Sequence, residues 1–142
     1  MKKTIFLAAI CFAVNFTSKA QCDKNVKWIS SKSEFIDTAN GNVDQSKDET
    51  AELTASPKKV SIILKGEHSD SMTGDVSDYI CNWKDKQNGN LSFKTTLTDA
   101  SGDIRHATIT IEEKDGKITA LLKADEERTE IRLTIDSFEE VN

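Results

Sequence analysis

Between Leu91 and Ile135 apolar and polar residues alternate almost without a break. Leu91, Phe93, Thr95 and Leu97 face one way, and Ser92, Lys94, Thr96 and Thr98 the other. A period of two predicts a strand with one wet face. Asp99 to Asp103 is a turn. A second strand follows over Ile104 to Glu112, with Ala107, Ile109 and Ile111 on its apolar side. Lys114-Asp115-Gly116-Lys117 closes a hairpin, because Asp and Gly both tolerate positive φ. Ile118, Ala120, Leu122 and Ala124 line the next strand, and Asp125-Glu126-Glu127 turns the chain again. Ile131, Leu133 and Ile135 line the last strand, with Phe138 and Val141 placed to tuck the tail under the sheet. Residues 91–136 therefore predict a four-stranded antiparallel meander whose apolar face needs a cover.

The cover has to come from residues 22–84. Val26 to Ile36 reads as a strand with an irregular middle, and Asn40-Gly41 as a hairpin-type turn. Asn42 to Ser56 is polar, with Val43 and Leu53 as its sizeable apolar residues; it fits an edge strand or, better, a long surface loop. Pro57 opens a strand in which Val60, Ile62 and Leu64 alternate with Ser61 and Ile63. Glu67 to Asp75 reads as a polar loop. Met72, Val76, Tyr79, Ile80 and Trp83 have the spacing of a helix face, yet Tyr79, Cys81 and Trp83 alternate as a strand does. The surrounding β pattern favours a strand, with one short helix near 72–83 as the alternative. Gln87-Asn88-Gly89-Asn90 reads as a turn. The sum is an all-β, antiparallel chain of seven or eight strands. An up-and-down barrel is the economical arrangement, since nothing demands a crossover; a two-sheet β-sandwich is the alternative.

The first twenty residues belong to none of this. Lys2 and Lys3 precede an unbroken apolar run from Ile5 to Val14, and Ser18-Lys19-Ala20 offers small residues three and one before a cut. Such a run suits a secretory signal and is shorter than the roughly 20 residues of a membrane span. Lys19 and Gln21 stand where a lipid-acceptor Cys22 would need an aliphatic and a small residue, and Cys11 lies inside the apolar run. The expectation is a signal peptide over 1–20 and a single β domain over 21–142, exported to the periplasm or the medium. Removing Lys2, Lys3 and Lys19 leaves 16 basic against 24 acidic residues, a net charge of −8. That balance disfavours nucleic acid and anionic membrane surfaces as partners. Cys22 and Cys81 remain, and an oxidising compartment pairs them. Such a bridge stabilises on the order of 3–4 kcal/mol by loop entropy.

Chemistry is sparse. His68 sits in Gly66-Glu67-His68-Ser69-Asp70-Ser71, but neighbours in one loop do not make a converging triad. His106 lies mid-strand opposite Ala107 and Ile109. Asp70 to Asp75 and Asp99 to Asp103 put acids around a glycine without the ligand spacing of a calcium loop. His68, Asp70 and His106 form a zinc set only if the fold brings them together. Glycines are too few and misplaced for a phosphate cradle or dinucleotide fingerprint. No catalytic residue, metal ligand or cofactor is assigned. Trp28, Phe35, Tyr79, Trp83 and Phe93 either fill the core or line a cavity.

In strand count, size, export signal and the tryptophan at position 28 of its first strand, the chain resembles the small lipocalin-like ligand-binding barrels. It departs from them at Val26, where that group carries glycine two residues before the tryptophan. The resemblance implies a non-catalytic carrier holding a small apolar ligand among Trp28, Tyr79, Trp83 and Phe93. The alternative is a solid-cored module that binds a protein or envelope component through its Thr-rich face or an edge strand.

Overall fold

A computed structural model describes residues 22–83 and 88–141. The signal-peptide reading falls on residues outside that range. Nine strands form among the described residues: β1 (Val26–Asp37), β2 (Val43–Lys47), β3 (Thr50–Ala55), β4 (Lys59–Lys65), β5 (Asp70–Trp83), β6 (Asn88–Asp99), β7 (Ile104–Lys114), β8 (Lys117–Ala124) and β9 (Thr129–Glu140). Every pairing is antiparallel. Strands β3 to β9 meander in order, and β9 pairs back onto β1, so eight strands close into a barrel. Strand β9 runs along one edge of β1 for its whole length. The other edge is shared: β3 takes Val26 to Ser30 and the extra strand β2 takes Ser33 to Ile36.

Four local expectations are corrected. Residues 42–56 are not a loop but β2 and β3; Ala51, Leu53 and Ala55 point inward, and two of those three are alanines with little hydrophobic signal. The segment 67–75 is not all loop, because β5 starts at Asp70. Asn88-Gly89-Asn90 are strand residues and not a turn: Gly89 and Asn90 pair on both sides and Asn88 pairs with β7, while Gln87 lies outside the described residues. Phe138 does not tuck under: it stays in β9 opposite Trp28 and is 43% exposed.

The helix-like spacing of 72–83 has a specific origin. Between the pairs Ser77–Lys94 and Ile80–Ser92, two residues of β5 (Asp78 and Tyr79) lie opposite one of β6 (Phe93), so one is extra. Asp78 takes the strain, with φ of 50°. Inward positions run 72, 74, 76 and then 79, 81, 83, so the bulge inserts a step of three into a period of two. The irregular middle of β1 is the same device. Ser31 and Lys32 separate the inward Ser30 and Ser33, and the Ser31 N–H donates to Asp136 at 2.8 Å.

The barrel is strongly staggered. Stepping from partner to partner out of Asp70, through Leu64, Ala51, Ser30, Ile135, Ile118, Glu113 and Gly89, the path returns to β5 at Trp83. That is 83 − 70 = 13 residues, one of them the bulge residue, leaving a stagger of 12. Stagger, tilt and width are linked, and an eight-stranded barrel lies at the border between an interior filled by side chains and one that holds a small molecule. The inner wall mixes large residues (Leu53, Ile62, Phe93, Ile109, Ile111, Leu133) with small ones (Ser30, Ser33, Ala51, Ala107, Ala120), all buried.

Candidate functional site

Of the four aromatics expected to meet a ligand, three share the β5–β6 wall. Tyr79 stacks on Phe93 with ring centroids 6.2 Å apart. Trp83 lies over Gly89, where a Cβ would come within 2.8 Å of its Cγ and Cε2. Trp28 arrives from β1, opposite Leu53 and Phe138. Trp28, Trp83 and Phe93 are buried and Tyr79 half-buried, and all four join one apolar cluster. Phe35 stands apart, with Lys47 Nζ 4.9 Å above its ring.

Polar atoms in this interior were not foreseen from the hydrophobic pattern. Ser30 Oγ is satisfied, donating to the Lys32 carbonyl at 2.8 Å. Ser33 Oγ, Thr95 Oγ1 and Trp83 Nε1 are buried and have no hydrogen-bond partner among the described residues. Buried polar groups are nearly always paired, so three unpaired ones in a single barrel need a reason. The one available signal was Thr95 itself, a hydroxyl on the apolar side of an otherwise regular strand.

Residues 22–25 lie at one end of the barrel. Cys22 and Cys81 form a disulfide with their Cα atoms 5.7 Å apart. The Tyr79 hydroxyl donates to the Cys22 carbonyl at 2.9 Å. Burial of the phenol, with Asp23 nearby, pushes its pKa above 10.0.

The outer wall is hydroxyl-rich and charged. A shallow groove of about 1120 Å³ crosses it, with Arg132, Glu34, Thr119 and Thr134 among its lining. Arg132 donates through Nε to Glu34 at 2.8 Å, and that hydrogen bond, against some desolvation, holds the carboxyl below its usual range. His68 is exposed in the β4–β5 connection. His106 is also exposed, with Nδ1 3.1 Å from Thr96 Oγ1. Asp99 closes its own turn by accepting the N–H groups of Ser101 and Asp103 at 2.9 and 3.0 Å. Burial raises its pKa, but these backbone donors outweigh that and hold it low. Among the described residues no three His, Cys, Asp or Glu side chains gather at metal-binding distance.

No family model, curated protein or solved structure matches this chain.

Proposed function

We propose that the chain is an exported, non-catalytic carrier that takes one small, mostly apolar molecule into the barrel. The observation that carries this reading is the set of unpartnered inward atoms: Ser33 Oγ, Thr95 Oγ1 and Trp83 Nε1. Leaving a hydroxyl or an indole N–H buried and unpaired costs about 1–3 kcal/mol each. A ligand with one or two hydrogen-bonding groups, such as a ketone, ester or alcohol on an apolar body, offsets that cost while the aromatics bury its carbon. The stagger of the barrel and its small inward residues favour room for such a body. The likeness to lipocalin-like barrels points the same way.

The disulfide fits an oxidising compartment. The outer positions of β6 and β7 are Ser92, Lys94, Thr96, Thr108 and Thr110, which suit water and not acyl chains. No cofactor is needed for carriage.

Native mass spectrometry of the mature protein, purified without reductant from an exporting host, tests the reading. Extra mass that is lost on denaturation is the expected result. A bare polypeptide that also refuses neutral apolar fluorescent probes overturns the carrier. The outer wall would then be the binding surface of a solid-cored module.

A further inference from the structure

Residues 22–25 precede the first ladder pair of β1 and lie at the end of the barrel where β1 begins and β9 finishes. The same end holds the β3–β4 turn and the β7–β8 turn, since Val26 pairs with Ala55 and Lys114 with Lys117. From Asn25, whose carbonyl accepts the Val141 N–H at 2.9 Å, the chain leads to β5, three strands around the barrel. There Cys22 bonds to Cys81 and packs against the apolar cluster. Its carbonyl takes the hydroxyl of Tyr79, whose ring lies on Phe93. The segment thus passes over the aromatic end of the interior.

This disulfide is not what closes the barrel. The β1–β9 and β1–β3 ladders start at Val26 and use no residue before it. Breaking the bridge leaves every strand pairing in place, and residues 22–24 then keep, among the described residues, only the Tyr79 hydrogen bond to the Cys22 carbonyl and the exposed Lys24–Glu140 ion pair. Both cysteines are only partly buried, so a thiol can reach the bond.

We infer that residues 22–25 form a strap over the ligand site, latched by the Cys22–Cys81 disulfide and released when a dithiol reduces it. This rests on the carrier reading above. In the reduction, the dithiol gives two electrons and two protons to the S–S bond. The protein gains two thiols and the reductant becomes a disulfide. The strap then hangs from Asn25, and Tyr79 and Phe93 are uncovered.

The chain has a single tyrosine, so tyrosinate absorbance reports on Tyr79 alone. Mature protein is compared oxidised and after dithiothreitol, with far-UV circular dichroism recording the barrel. The neutral probe N-phenyl-1-naphthylamine measures exchange with the interior. Reduction is expected to leave the dichroism unchanged, bring the tyrosine titration down towards its ordinary range, and speed probe release by about tenfold. Cys22→Ser with Cys81→Ser should reproduce this, and oxidised Tyr79→Phe should show a smaller increase in release. A folded, reduced protein with an unmoved tyrosine titration overturns the strap, and so does loss of the barrel on reduction. Unchanged probe release with a moved titration overturns the gating. A probe that binds in neither state while the tyrosine titration still moves removes the carrier and leaves the strap standing.

Discussion

Replacing Gly74 with alanine sets two well-understood effects against each other. Its φ is not positive, so alanine adopts the backbone without strain. Restricting the unfolded chain then favours the variant by about 0.4–1 kcal/mol. The structure argues the other way. A Cβ on Gly74 would be driven into the backbone carbonyl of Thr96 and would lie 2.5 Å from Thr95 Oγ1. The carbonyl belongs to β6, which is tied to β5 and β7 on its two sides, so it cannot give. Overpacking of that kind costs about 1–3 kcal/mol. Sterics should win, leaving Gly74→Ala destabilised by about 1–2 kcal/mol, read as a lower urea midpoint at unchanged slope. Thr95→Ala added to it should recover only part, because the Thr96 carbonyl stays. Gly66→Ala is the control: Gly66 is exposed, its nearest neighbour is the Cβ of the partly buried Glu49 at 3.2 Å, and the change should be near neutral. A Gly74→Ala variant as stable as the parent would refute the claim that β5 and β6 are locked together at this point.

Three further outcomes are expected. Removing the Cys22–Cys81 bridge, which spans a sequence separation of 59, should lower stability by about 4 kcal/mol by chain entropy, measured by denaturant titration of the oxidised protein against the double serine variant. Thr95→Val keeps the shape but deletes an unpaired hydroxyl, so it should raise the melting temperature of the empty barrel while weakening its ligand; movement of both in the same direction would contradict the role given to Thr95. Because Glu34 titrates below its usual range chiefly through Arg132, its pair contributes above the ordinary carboxylate pKa and fades as pH falls through the lowered one; in Arg132→Gln, an NMR titration should find the Glu34 carboxyl moved up, with Lys32 still beside it.

The meander from Leu91 to Ile135 was plain in the sequence because its inward positions are apolar apart from Thr95 and Glu113, too few exceptions to break the alternation. Asp115 and Gly116 also take the positive φ that their hairpin turn requires. Closure was not plain. The β1–β9 ladder joins residues such as Trp28 and Phe138, and no local pattern announces a pairing at that range. Strand β3 was passed over because alanine at positions 51 and 55 carries little hydrophobic signal, although both are buried. Strand β5 was ambiguous because Asp78 adds one residue and turns a period of two into something close to 3.6.

Two of these misreadings share a cause: Ala51 and Gly74 are inward positions that hold a small residue where a uniform core would put leucine or valine. Ser30, Ser33 and Thr95 are small or polar inward residues as well, inside strands that the pattern did reveal. At Gly74 the Thr96 carbonyl forbids anything larger, but at Ser30, Ser33, Ala51 and Thr95 a larger apolar residue would add burial worth about 0.8 kcal/mol per methylene. Departures from local consistency tend to mark functional sites. Ala51 and Gly74 hid strands because they are small, while Ser33 and Thr95 set unpaired hydroxyls among the same inward positions. Part of the difficulty of reading the sequence and the case for a ligand therefore share a physical source: an inner wall that is not uniformly large and apolar.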